Sequence, residues 1–93
     1  MEKRRWARIY GDGCIYSGPC LVHNIIVVSD STGDLAVVYD GRDAGGGKVF
    51  CEVKNASKST LPINLGEGVA FDSGIYIDAN DEVVETTIVF TPQ

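Results

Sequence analysis

The chain has 93 residues, of which 44% are hydrophobic and 23% are charged, and its formal net charge at pH 7 is −5. This length and composition are typical of one soluble globular domain. Apolar runs such as "IIVV" at 25–28 are too short to cross a membrane, so we expect no membrane partner.

The charge is distributed unevenly along the chain. The first eight residues contain four basic residues and one acid, a net charge of +3, whereas the remainder contains four basic residues and twelve acids, a net charge of −8. We therefore predict a basic N-terminal arm at 1–8 and a β-sandwich domain at 9–93. Such an arm is expected to bind an acidic partner, either a neighbouring subunit, a capsid wall or nucleic acid, or else to act only as a solubilising end. The acidic body should repel nucleic acid.

Short β-branched and aromatic segments alternate with turns rich in Gly, Asp and Ser. The turns lie roughly 8–12 residues apart, which is typical of a sandwich or barrel, and no window has helical periodicity. The predicted fold class is all-β: an antiparallel two-sheet sandwich, jelly-roll-like, with about eight strands. The predicted extended segments, some of which can merge, are 6–10, 13–17, 20–29, 34–40, 47–54, 59–65, 68–72, 74–78 and 83–91.

Alternation of apolar and polar residues predicts which faces of these strands are buried. In 47–54, the alternation predicts one buried face made of Val49, Cys51 and Val53. Segments 20–28 and 83–90 are apolar on both faces. In the first of them, Leu21, Ile25 and Val27 are predicted on one face and Val22, Ile26 and Val28 on the other.

The second apolar face of these two segments predicts self-association. A sandwich of this size has no further element to cover that face, so a partner subunit is expected to do so. Together with the basic arm, this gives a set of predicted interface residues: Lys3, Arg4, Arg5, Trp6, Arg8, Val83, Val89 and Phe90.

No constellation of residues predicts catalysis, so we expect a protein that is not an enzyme and has no cofactor. The single histidine, His23, lies three residues after Cys20, which puts the two on opposite faces of a strand and is poor geometry for a nucleophilic pair. We expect His23 to be a core residue bonded to a backbone carbonyl.

Metal sites are weaker alternatives. A zinc site could use Cys14, Cys20, His23 and Cys51, although their spacing matches none of the usual zinc motifs. Calcium could bind the acidic loops at 30–34 and 78–82, although neither follows the EF-hand pattern. Because no apolar stretch of a signal peptide follows the basic N-terminus, we expect synthesis in the cytoplasm and free thiols, with a Cys14–Cys20 bridge as the alternative.

The order of segments resembles that of small β-sandwich structural proteins of tailed-phage virions. The resemblance rests on "GPCLVHNIIVVSDSTGDLAVVYDG", "GKVFCEVKNASKSTLPINLGEGVAFDSGIYID" and "VVETTIVF". In that group a strand ends in a turn like Tyr39-Asp40-Gly41, and a segment like 69–77 precedes a closing strand. The resemblance implies a location in the virion, as capsid decoration, head–tail connector or tail module. It also implies homo-oligomers that contact other virion proteins and have no catalytic residues to carry over.

We therefore predict a non-enzymatic virion structural protein that oligomerises and docks on the capsid or tail of a tailed phage. The alternative is a carbohydrate- or receptor-binding module of a phage tail or fibre. Its sugar would contact Tyr16, Tyr39, Tyr76 or Trp6.

Overall fold

The computed structural model describes residues 3–29, 35–54, 60–80 and 84–93. These residues form eight β-strands and no helix. The strands are β1 (Arg5–Tyr10), β2 (Gly13–Ser17), β3 (Cys20–Val28), β4 (Leu35–Asp40), β5 (Lys48–Lys54), β6 (Thr60–Phe71), β7 (Gly74–Ala79) and β8 (Glu85–Pro92). Residues 5–8 of the predicted arm lie within β1.

The strands pair like one long hairpin that has been rolled up. β1 pairs with β8, β2 with β7, β3 with β6 and β4 with β5, all antiparallel. Further antiparallel pairings, β3 with β8 and β4 with β7, complete two four-stranded sheets. The first sheet has the order β1-β8-β3-β6 and the second β2-β7-β4-β5. This is the connectivity of a jelly roll, so the predicted fold class is confirmed.

The core lies between the two sheets and receives side chains from both. It is aliphatic with two phenylalanines, as burial of apolar surface requires. Its members are Cys20, Val22, Ile25, Val27, Ala36, Val38, Val53, Phe71, Ile75, Ile77, Val84, Ile88 and Phe90.

A bulge at His23 corrects the predicted faces of β3. Val22 is opposite Phe90 and Asn24 is opposite Val89, so His23 is an extra residue in the ladder with β8. An extra residue reverses the alternation beyond it. Val22 therefore shares the core face with Ile25 and Val27, instead of lying opposite them.

β6 joins two segments that the sequence separates. Across from β3, Asn24 pairs with Asn64 and Val22 with Val69, so residues 65–68 of β6 lie opposite His23 alone. Gly66 and Gly68 provide the positive φ angles, 66° and 123°, that this excursion needs. The segments predicted at 59–65 and 68–72 are thus one strand, bent at the glycines.

A second bulge corrects the predicted face of β5. Tyr39 is opposite Val49 and Val38 is opposite Cys51, so Phe50 is the extra residue. Phe50 packs its ring 5.0 Å from that of Phe71, measured between centroids. Val49, predicted to be buried, is instead 54% exposed.

Candidate interaction surfaces

The outer face of the first sheet carries several apolar side chains on the side away from the core. In the registers of β1 and β3 with β8, Trp6 is opposite Val89, and Arg8 and Ile26 are both opposite Thr87. Trp6 is 70% exposed although it lies within a strand. We call this surface the Trp6 face: Trp6, Arg8, Tyr10, Ile26, Val28, Pro62, Thr87 and Val89.

One cation of the Trp6 face is paired within the chain. Nη1 of Arg8 lies 3.3 Å from Oε1 of Glu85, and the Arg8 guanidinium lies 6.0 Å from the centroid of the Tyr10 ring. Because both partners are partly solvated, the pair contributes at most about 1 kcal/mol to stability. The charge of Arg8 on this face is therefore partly balanced by Glu85.

Most of the predicted interface residues lie on the surface, but one of them lies in the core and one lies outside the described residues. Lys3, Arg4, Arg5, Trp6 and Arg8 are exposed, and Val89 is half-buried on the Trp6 face. Phe90 lies instead in the chain's own core, 5% exposed, with its ring 5.1 Å from that of Tyr16. Strand alternation explains this, because Phe90 follows the outward Val89. Val83 lies outside the described residues.

The outer face of the second sheet is built around two tyrosines. Tyr76 of β7 lies opposite both Cys14 of β2 and Tyr39 of β4. The two tyrosine rings are 6.1 Å apart in an edge-to-face arrangement, which is a favourable geometry for aromatic pairs. We call this surface the tyrosine face: Cys14, Val37, Tyr39, Val49, Glu52, Tyr76 and Asp78.

Three carboxylates lie near enough to the Tyr76 hydroxyl to act on its protonation. Partial burial raises its pKa, and the nearby charges of Asp12, Asp78 and Asp43 raise it further. Two of these carboxylates are fixed by backbone donors: Oδ1 of Asp12 accepts from Ala79 N at 2.7 Å, and Oδ1 of Asp43 accepts from Gly46 N at 2.7 Å. The tyrosine face is therefore aromatic and electronegative.

A shallow open pocket of about 260 Å³ lies at one end of the second sheet. It is lined by Gly41, Arg42, Asp43, Gly46 and Ser73. Its walls are held together by Asp40, because the two oxygens of that carboxylate accept bonds from Asp72 N at 3.0 Å and Ser73 N at 2.9 Å. This contact joins the end of β4 to the turn at 72–73, between β6 and β7.

No protein-family model and no curated protein sequence matches this chain. The two surfaces are consequently interpreted from their own chemistry. Within the described ranges there is no helix that could span a membrane.

The residues of the zinc site that was considered as a weaker alternative are not brought together. Cys20 lies in the core, Cys14 is exposed on the other sheet, and His23 lies in the bulge of β3. Among the described residues, no group of three or more His, Cys, Asp or Glu side chains could hold a metal ion. The calcium prediction at 30–34, and the part of the second loop at 81–82, lie outside them.

The three cysteines are free thiols of different reactivity. Burial, with a further contribution from the charge of Asp40, raises the pKa of Cys20 to about 11. Burial also raises the pKa of Cys51. Cys14 is exposed, so it is the thiol of the three that solvent reaches most readily.

His23 is buried, 3% exposed, but its partner differs from the prediction. Nε2 lies 2.7 Å from Oγ1 of Thr91, a side-chain hydroxyl rather than a backbone carbonyl. The bulge explains this, because it places the imidazole on the same side of the sheet as Thr91, the residue that follows Phe90.

The sequence offered Tyr39 and Tyr76 as candidate sugar-binding residues because they are aromatic and near strand ends, but it did not pair them. Their contact depends on the register of β4 with β7. Asp12 and Asp43, which flank them in space, were missed because each is a turn residue. The only signal for them was the excess of acids in 9–93.

Proposed function

We propose that this chain is a non-enzymatic structural subunit that self-associates and docks on the capsid or tail of a tailed-phage virion, in a decoration, cement or connector-like role. The observation that carries the proposal is the exposure of Trp6 on a strand of an ordered sheet. A partner that buried its remaining surface would gain about 3 kcal/mol from this side chain. Buried tryptophans often dominate interface energetics.

The surroundings of Trp6 support an extended contact. Val89 lies opposite it, Ile26 and Pro62 are paired one row further along, and all three belong to the same outer face. Apolar side chains beside an exposed aromatic residue are typical of the centre of protein interfaces. The proposal that this assembly is part of a virion rests on the resemblance to tailed-phage structural proteins.

Sedimentation velocity and native mass spectrometry test the self-association. We expect the wild type to form an oligomer of fixed size, and Trp6→Ala and Val89→Asp to shift it to folded monomers. Ala44→Asp, which adds the same charge in the exposed loop after β4, is the matched control and should assemble normally. A wild type that stays monomeric at every concentration would contradict the proposal.

The virion location needs its own test. Mass spectrometry of purified particles of the phage that encodes this sequence should detect the chain in stoichiometric amounts. Its absence from such particles would leave an assembling protein with a different location.

The Tyr39–Tyr76 pair supports one second candidate, a carbohydrate-binding module. Aromatic rings can stack on the apolar faces of sugars, and the neighbouring carboxylates can accept bonds from hydroxyl groups. A glycan array would show binding by the wild type and loss by Tyr76→Ala, with Trp6→Ala unaffected. No binding to any glycan would dismiss this candidate.

A further inference from the structure

The tyrosine face has the chemistry of a surface that binds cations. The rings of Tyr39 and Tyr76 present negative π density, which attracts ammonium and guanidinium groups. Asp78 belongs to the same face, and the fixed carboxylates of Asp12 and Asp43 lie near enough to act on Tyr76. A cationic peptide segment therefore fits this surface better than an anionic or purely apolar ligand.

The chain itself carries such a segment. Lys3, Arg4 and Arg5 are consecutive and exposed, and Trp6 follows them with 70% of its surface exposed. Arg5 and Trp6 lie on opposite faces of β1, so the cations that can accompany Trp6 onto one surface are Lys3 and Arg4. Two cations and one large aromatic residue complement the tyrosines and carboxylates in both charge and stacking.

Within one copy, the segment begins at the end of β1 opposite to Asp12 and lies on the other sheet from the tyrosine face. Asp12 follows the end of β1 at Tyr10, whereas Lys3 and Arg4 precede its beginning at Arg5. A six-residue strand is about 17–20 Å long, more than a lysine or arginine side chain spans. In addition, β1 belongs to the first sheet and the tyrosine face to the second.

We propose that the tyrosine face of one copy binds the basic segment Lys3–Trp6 of the next copy, so that the subunits associate head to tail. This inference rests on the proposed self-association and names its two surfaces. Because the two surfaces differ, each copy offers one of each, and the contact closes into a ring or continues as a filament. The contact is partly electrostatic, so high salt should weaken it.

Mixing two complementary variants tests the proposal. Lys3→Gln/Arg4→Gln removes the two cations that precede β1 and keeps the tyrosine face. Tyr76→Ala/Asp78→Asn removes the tyrosine face and keeps the cations. Each variant alone should lose assembly, with its apparent dissociation constant raised at least about tenfold. An equimolar mixture should form 1:1 heterodimers that grow no further, because only one intact pair of surfaces remains. Lys48→Gln, which removes an exposed cation of β5 that does not belong to the tyrosine face, is the control and should assemble like the wild type.

A measurement on the wild type guards against variants that fail to fold. Carbodiimide cross-linking of mixed ¹⁴N- and ¹⁵N-labelled copies should join Lys3 to Asp78, Asp12 or Asp43 between copies, and high salt should abolish these links. Assembly by either variant alone, a mixture that stays monomeric, or wild-type oligomers without these links would overturn the head-to-tail contact and leave the proposed function in place. A monomeric wild type would overturn both.

Discussion

The imidazole of His23 and the hydroxyl of Thr91 form a buried hydrogen bond between β3 and β8, with Nε2 and Oγ1 2.7 Å apart. The other ring nitrogen, Nδ1, has no partner among the described residues. A buried unpaired N–H is rarer than a buried unpaired acceptor. We therefore infer that Nε2 carries the proton and donates it to Thr91, and that Nδ1 is the unprotonated nitrogen.

Two threonines of β8 should respond in opposite ways to the same change. Thr91→Val removes the only partner that the described residues offer to His23 and leaves Nε2–H unpaired, so it should cost about 1–3 kcal/mol of unfolding free energy. Thr86 is fully buried, and its hydroxyl has no partner in the described part of the chain. Thr86→Val should accordingly be neutral or stabilising. Urea unfolding measures both, and equal destabilisation would contradict the assigned bond.

The positions of the strands could be predicted from this sequence, whereas the face of the sheet on which each side chain lies could not. The turn residues and β-branched segments predict eight or nine strands because each signal is local. The bulges at His23 and Phe50 arise from pairing with strands far away in sequence, and each reverses the faces beyond it. For this reason Val22 and Val49 were placed on the wrong faces. In β7, by contrast, Ile75 and Ile77 are both buried, as simple alternation requires.

Gly74 should tolerate no side chain. Its φ is 149°, and an added Cβ would overlap the carbonyl oxygen of Tyr16 and lie 3.0 Å from that of Gly41. Gly74→Ala should cost more than about 3 kcal/mol, since backbone strain and a steric clash add. Gly66, with φ 66° and nothing within 4 Å, is the matched control; Gly66→Ala should cost about 1 kcal/mol. Thermal unfolding of the two variants compares strain with and without the clash.

Removal of the Asp40 carboxylate should loosen the pocket end of the second sheet. Asp40→Ala loses both bonds to the 72–73 turn and should cost about 2 kcal/mol or more, whereas Asp40→Asn keeps one acceptor oxygen and should cost less. Asp72→Asn, a change at an exposed side chain in the same turn, should stay within about 0.5 kcal/mol. Denaturant unfolding gives the order, and a harmless Asp40→Ala would show that the turn holds without it.

Cys20 should make the fold sensitive to alkaline pH. Its folded pKa of about 11 exceeds the ordinary 9.0, so the unfolded chain loses the thiol proton first as pH rises. The contribution of Cys20 to stability is therefore complete below pH 9 and falls between about pH 9 and 11, by about 3 kcal/mol. The unfolding free energies of wild type and Cys20→Ala, measured from pH 8 to 11, should therefore converge. The tyrosines titrate in both proteins and so do not contribute to the difference. Parallel curves would contradict the assignment.

The candidate site was predictable in composition and not in geometry. The sequence contains the basic segment, the exposed Trp6 and the excess of acids, since all three follow from charge and position. The convergence of Asp12 and Asp43 on Tyr76 depends on turns between β1 and β2 and after β4, which no periodic pattern encodes. Phe90 was predicted at an interface although it is a core residue. The error arose because segment 83–90 is apolar on both faces, so its sequence does not show which face is buried.

The rolled-hairpin connectivity also determines how the protein must acquire its structure. In the described chain, β1 forms its ladder with β8, which joins partners as distant as Arg5 and Phe90, about 85 positions apart. Closing such large loops is entropically slow, so folding is expected in milliseconds to seconds rather than microseconds. During translation, the strand that carries Trp6 therefore stays without its β8 partner until β8 has left the ribosome.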